Sequence, residues 1–118
     1  MSGERAGEAL LLDSTELTLV SADRLSGDVR EDVLKFVFEA GVVYLLSPTD
    51  TVADWYRNIE KDHGVVVRLK RRGFRCRASA VEARQRSHIV SRFKQKYGAS
   101  FKPGEPSAWL PVRIEIDF

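Results

Sequence analysis

Apolar and polar positions alternate along this chain in short runs broken by turn residues. Over residues 16–22, Leu17, Leu19 and Ser21 oppose Thr18 and Val20, the period of a half-buried strand. Residues 23–28 contain Ser26-Gly27 and read as a turn. Strand character returns over residues 33–38, with Leu34, Phe36 and Phe38 on one face. A turn at Glu39-Ala40-Gly41 leads into a largely buried third strand over residues 42–46. Pro48 stops it.

A short helix is expected next. Thr51 is placed as N-cap with Asp54 in capping-box position, Val52, Trp55 and Ile59 recur at helical spacing, and Gly64 is the stop. Residues 65–69 form a fourth strand, Lys70-Arg71-Arg72-Gly73 a basic turn. A fifth strand follows, in which Phe74, Cys76, Ala78 and Ala80 alternate with Arg75, Arg77 and Ser79. Residues 82–97 read as a longer helix that buries Ile89, Val90, Phe93 and Tyr97 and ends at Gly98. A proline-containing loop spans residues 100–111. Val112, Ile114, Ile116 and Phe118 then alternate with charged residues in a last strand.

Six strands and two helices, with mostly hairpin connections, predict a mainly β (α+β) protein whose antiparallel sheet rolls into a small barrel. Strands and helices do not alternate as βαβ units, which argues against a Rossmann or P-loop architecture. Residues 1–15 read as a lead-in, with Leu10-Leu11-Leu12 packing against the body, and residues 16–118 as one domain. No apolar run approaches the roughly 20 residues that a membrane-spanning helix needs. The first residues lack the basic start and apolar stretch of a signal peptide. Together with a single cysteine, Cys76, this leads to the expectation of a cytoplasmic protein. Cys76 sits on the apolar face with Phe74 and Ala78, a core position rather than that of a nucleophile.

Net charge is +2, unevenly spread. Residues 1–62 carry 6 Lys+Arg against 13 Asp+Glu, and residues 63–118 carry 13 against 4. The basic residues are dispersed over several faces instead of forming one stripe. The two halves are therefore expected to fold together as complementary charges, and nucleic acid is not the expected partner. His63 and His88 have no cysteine or carboxylate neighbours at ligand spacing, so no metal site is expected. No nucleophile elbow, Cys–His pair or close carboxylate couple is visible, and no catalytic acid or base is nominated.

Two segments offer binding chemistry. The connection Arg24-Leu25-Ser26-Gly27-Asp28-Val29-Arg30 holds guanidinium, hydroxyl and glycine groups of the kind that hold phosphate. Trp55-Tyr56-Arg57-Asn58 places an aromatic pair at the start of a short helix, where it would cover a flat ring. Each also has a plain structural reading. Arg24 and Arg30 have Asp28, Glu31 and Asp32 as neighbours, and Trp55 and Ile59, at i and i+4, suit a core. Tyr56 and Asn58 lie on other faces of the helix and suit the lining of a cleft.

In these segments the chain resembles the split β-barrel superfamily of flavin-binding proteins, and within it the deazaflavin-dependent nitroreductase family. Asp23-Arg24-Leu25-Ser26-Gly27-Asp28-Val29-Arg30 keeps the Arg, Ser, Gly and Arg of the family's first hairpin. Trp55-Tyr56-Arg57-Asn58-Ile59 matches its Trp-Tyr-x-Asn-Leu helix, and Arg71-Arg72-Gly73-Phe74 stands at its basic turn. The resemblance implies a six-stranded antiparallel split β-barrel of the FMN-binding type that pairs into a homodimer. It implies 8-hydroxy-5-deazaflavin coenzyme or FMN as cofactor, and hydride transfer to a small electron-poor substrate. By the same resemblance Arg24, Ser26 and Arg30 would contact phosphate, Gly27 would admit the backbone to it, and Trp55, Tyr56 and Asn58 would border the pocket. Leu25 stands where the family has lysine, Asp23 replaces its glycine, and Glu31 and Asp32 put two anions beside the phosphate position. Those departures define the alternative, a non-catalytic split-barrel module that has lost the cofactor.

Overall fold

The computed structural model describes residues 9–116. Its elements are β1 (Leu17–Ala22), β2 (Val29–Leu34), β3 (Val37–Glu39), β4 (Val42–Pro48), α1 (Asp54–Lys61), β5 (Gly64–Leu69), β6 (Arg72–Ala80), α2 (Arg86–Tyr97) and β7 (Trp109–Ile116). Every pairing is antiparallel, and the hydrogen-bonded order is β2-β1-β5-β6-β7-β4-β3.

That order explains why the described residues form seven strands where the alternation predicts six. β2 begins at Val29, four residues before the expected run at 33–38, and that run is divided between the end of β2 and β3, which lie at opposite edges of the sheet. Leu34 and Val37 are three residues apart, so the edges can be separated by no more than about 11 Å there. A flat seven-stranded sheet would hold them much further apart, and the sheet must therefore roll. Leu34, Phe36 and Phe38 do share one side: all three pack into the same core with Leu19, Val43, Leu45, Val67 and Ile114. The alternation identifies the buried face correctly but cannot reveal that the ladder changes partner in mid-run.

Backbone groups freed by that break are taken up by α2. Phe36 N–H donates to the Tyr97 hydroxyl at 2.8 Å, and Phe36 C=O accepts from Lys96 Nζ at 2.9 Å. The Tyr97 hydroxyl also lies 2.8 Å from the carbonyls of Thr15 and Phe36. The end of α2 thus fastens the crossover and the lead-in together, leaving little backbone unpaired. Residues 9–13 are helical, with Leu11 buried and Leu12 exposed.

The helices serve different faces. Trp55 and Ile59 of α1 join the barrel core, whereas Ile89 and Phe93 of α2 form a second cluster with Val37, Tyr44 and Leu46 outside it. The expected Thr51 cap is not used: α1 begins after Ala53, whose N–H donates to the buried Ser47 hydroxyl at 2.9 Å. The helix ends at Lys61, and Gly64 opens β5 instead of stopping α1. A 3₁₀ turn, Ala83–Gln85, precedes α2, and Gly98 ends it at φ 56°. The last strand starts at Trp109, three residues earlier than expected, because β4 pairs with residues 109–111 before β6 engages at Val112. With β6 absent on that side, Pro111 sits where a missing N–H is tolerated. The expected end of that strand at Asp117 and Phe118 lies outside the described residues, as do residues 1–8.

The acidic and basic halves interleave. Glu31 pairs with Arg68 at 2.6 Å, and Glu39 faces both His88 and Arg92. Cys76 is buried in the core. Among the described residues no helix is long and apolar enough to cross a membrane.

Lys96 gives the fold a pH signature. Partial removal from water lowers its pKa from 10.5 to about 8. From pH 8 toward 10.5 the folded chain has released this proton while the unfolded chain still binds it, so stability rises with pH in that window. Urea unfolding at pH 8 and at pH 10 should show wild type gaining stability relative to Lys96→Met. The gain is modest, since the side chain is partly hydrated. Equal pH dependence of the two proteins would contradict it.

Candidate functional site

The β1–β2 hairpin is closed by its own polar groups. Asp23 N–H donates to Asp28 C=O and Gly27 N–H to Asp23 C=O, both at 2.8 Å. Leu25 N–H donates to Asp23 Oδ1 at 3.3 Å, and Asp28 N–H to Ser26 Oγ at 3.1 Å. The Ser26 hydroxyl lies 3.3 Å from Asp23 Oδ2, and Arg30 pairs with the same carboxylate at 3.5 Å. The bond from Leu25 N–H, helped by Ser26 and Arg30, holds the Asp23 carboxyl below its ordinary range. Gly27 has φ +80° with open space around its Cα, so the turn geometry requires the glycine.

Arg24 leaves the hairpin and joins it to α1. Its backbone N–H and its NH1 both donate to the Asn58 side-chain oxygen, at 3.1 and 2.9 Å. NH2 lies 3.4 Å from Asp54, and Lys61 Nζ donates to the Arg24 carbonyl at 2.6 Å. Asn58 is 3% exposed, so this oxygen is a fixed acceptor within the fold. Arg24 of the hairpin and Asn58 of α1, one from each candidate segment, are therefore in direct contact.

Tyr56 stands between two clefts. One, of about 590 Å³, is lined by Arg24, Val52, Tyr56, Arg57, Glu60 and Leu110. The other, of about 200 Å³, runs from Tyr56 and Ile59 past His63 to the small side chains of Ala78, Ser79 and Ala80. Burial, with Glu60 nearby, raises the Tyr56 pKa, so the phenol remains neutral and able to donate. Trp55 meets Tyr56 edge-on at 6.0 Å but is 6% exposed and faces the core.

The two anions beside the hairpin divide. Glu31 turns to Arg68, while Asp32 stands opposite Leu19 on the inner side of the sheet. Desolvation, then the neighbouring Asp54 charge, raises the Asp32 pKa.

Of the residues named from sequence, Arg24 and Tyr56 line one cleft, and the buried Asn58 holds Arg24 there. Ser26, Gly27 and Arg30 remain in the hairpin, bound to Asp23, and Trp55 lies beneath. Arg57 and Lys61 were not singled out, yet they bring two further cations to the same side of the molecule. Their i, i+4 spacing on α1 was the available signal. Val52 and Leu110 carried none, because they meet only through the β4–β7 pairing that sets Pro48 opposite Trp109.

No protein-family model matches this chain, and neither does any curated protein. Solved structures do resemble it. An FAD-binding protein from Mesorhizobium loti superposes with TM-score 0.70 at 18% identity, covering 100% of this chain and 91% of the other. An F420 reductase gives 0.69 at 15%, covering 94% and 93%. The heme storage protein HutZ from Vibrio cholerae gives 0.73 at 16%, covering 98% and 90%. At such identities the likeness is one of fold: this chain is an antiparallel split barrel.

Proposed function

We propose that this chain is a flavin- or deazaflavin-binding oxidoreductase of the nitroreductase-like kind, taking 8-hydroxy-5-deazaflavin coenzyme or FMN. The observation that carries this reading is the 590 Å³ cleft, lined by the cations Arg24 and Arg57, by Tyr56, Val52 and Leu110, and by the carboxylate Glu60. Its volume suits a cofactor site, and its lining combines guanidinium groups with an apolar and aromatic surface. The residues fit a phosphorylated flat ring. Arg24 is oriented by Asn58, and its contact with the exposed Asp54 is long enough to give way to phosphate. Tyr56 and the two aliphatic side chains would cover the ring. Ser26, Gly27 and Arg30 act in this reading by holding the hairpin that presents Arg24, and Trp55 by bracing Tyr56 from below. The bound cofactor supplies hydride for a small electron-poor substrate, and the chain's own residues bind, orient and exclude water.

The same fold is found in solved proteins named for FAD binding, for F420 reduction and for heme storage. A second reading, a non-catalytic module without cofactor, is favoured by one observation. The hairpin N–H groups of Asp23, Arg24, Leu25, Gly27 and Asp28 already have partners.

Absorbance and fluorescence titrations with FMN and with the deazaflavin coenzyme separate the two. Saturable binding is expected, weakened about tenfold or more in Arg57→Met as one charge-assisted contact is lost. Absence of binding to either cofactor would leave the non-catalytic module. A homodimer belongs to the same proposal. Val29 and Val33 are exposed on the edge strand β2, on either side of Glu31, with Leu25 at the hairpin tip, apolar positions that a second copy would cover. Light scattering at micromolar concentration tests it.

A further inference from the structure

A third cleft lies away from α1, between α2, β3 and the first helical turn. It measures about 280 Å³. Leu11, Leu12, Val37 and Phe38 make its apolar wall, while Arg92, Gln95 and Lys96 line one side from a single face of α2. Leu12 is 66% exposed there.

The charges in this cleft do not balance. Lys96 Nζ donates to the Phe36 carbonyl and lies 3.7 Å over the Phe36 ring, and both partners are neutral. Among the described residues no carboxylate lies within ion-pair distance of it. Desolvation alone accounts for its lowered pKa, as expected of a cation drawn from water without a counter-ion. Arg92 does not fill the gap. Its Nε faces Glu39 at 3.4 Å, a carboxylate already held by His88 at 2.9 Å, and its NH1 donates to Gln95 at 2.8 Å. The other terminal nitrogen, NH2, has no partner among the described residues. The result is two cationic heads, four residues apart, at the edge of an apolar hollow.

We propose that this cleft is a binding site for a small free carboxylate with an alkyl body, its head between Lys96 and Arg92 and its chain against Leu11, Leu12, Val37 and Phe38. A neutral alcohol of the same length offers the apolar contact without the counter-charge, and an alkylammonium reverses the sign. The hollow is too short for a long acyl chain, so the probe is octanoate. This site is separate from the α1 cleft and does not depend on the cofactor reading.

The test uses the full chain, with calorimetry and NMR titration of octanoate, octan-1-ol and octyltrimethylammonium. One saturable octanoate site per chain is expected, at least tenfold tighter than octan-1-ol, with no binding of the ammonium. Lys96→Met should reduce octanoate to the level of the alcohol, whereas Lys94→Met, a charge-matched change on α2 outside the cleft lining, should not. In unmutated protein, saturating octanoate should raise the Lys96 pKa, read from its ε-methylene shift against pH. Equal affinity for octanoate and octan-1-ol would overturn the proposal. So would non-saturating uptake, or a Lys96 titration that octanoate leaves unmoved. These readings need no variant, so they stand even where Lys96→Met fails to fold.

Discussion

Replacing Phe36 by alanine is expected to lower the free energy of unfolding by about 3–5 kcal/mol, the usual loss for a fully buried phenylalanine. The ring is completely buried and sits where β2 hands over to β3. Its position explains the size of the effect. The two edges of the rolled sheet meet at this crossover, and the ring fills the interior that both enclose with Leu34 and Phe38. The backbone there is pinned by Tyr97 and Lys96, so it cannot collapse inward to fill the void. A domain of this size has about 5–15 kcal/mol in total, so the variant should be marginal or unfolded at 37 °C. Phe36→Leu, which keeps most of the volume, should lose only about 1 kcal/mol. Urea unfolding at 25 °C compares the three proteins. A loss below about 1 kcal/mol in the alanine variant would mean that the barrel interior is not closed at this point.

Asn58→Ala is expected to cost about 2 kcal/mol of stability and to weaken cofactor binding by tenfold or more. The buried side-chain oxygen accepts two bonds from Arg24, one from its backbone and one from its guanidinium. Removing it takes away two of the hairpin's ties to α1, leaving those through Asp54 and Lys61, and loosens the guanidinium in the cleft wall. Arg24→Met keeps the backbone bond and should lose less stability, about 1 kcal/mol, while affecting cofactor affinity as strongly. The pair separates holding from binding. A double-mutant cycle in urea should give a coupling of about 0.5–1.5 kcal/mol between the two positions. If Asn58→Ala unfolds at the wild-type urea concentration, the hairpin and the helix are not joined through this oxygen. If Asn58→Ala is destabilised but binds cofactor as wild type does, the joint is structural and the proposed site lies elsewhere.

The seven-strand count was hidden in the sequence for a physical reason. Alternation reports which side of a strand is buried, and Leu34, Phe36 and Phe38 keep one side across the break. Strand identity depends on the hydrogen-bonding partner, which alternation does not encode. The cap of α1 escaped in a similar way. Thr51 has the chemistry of a cap, but α1 starts without a side-chain cap, and the Ala53 N–H before it is held by Ser47, six residues earlier and buried at the end of β4. In both cases the missing information was a contact between elements, not a property of either one.

For the candidate site, residue type was a good guide and orientation was not. Trp55 and Tyr56 are adjacent and aromatic, and only helix phase decides that the first faces the core and the second the cleft. Ser26 and Arg30 had the composition of a phosphate loop, and Asp23 binds both. The charge balance between the halves did foretell a contact, realised in Glu31–Arg68 and Glu39–Arg92.

By itself the sequence determined a mainly antiparallel β protein, the inward faces of β1, β6 and β7 and of the run 33–38, the two helices and the hairpin turn at Gly27. These follow from side-chain period and from backbone angles that only certain residues accept, both of which are local. Tertiary structure alone decided that the sheet rolls until its edges meet at Phe36, that Arg24 rests on Asn58, and that Lys96 lines an apolar hollow with no counter-ion among the described residues. Those are outcomes of which surfaces are brought together, and the free energy of a contact belongs to the pair and not to either residue.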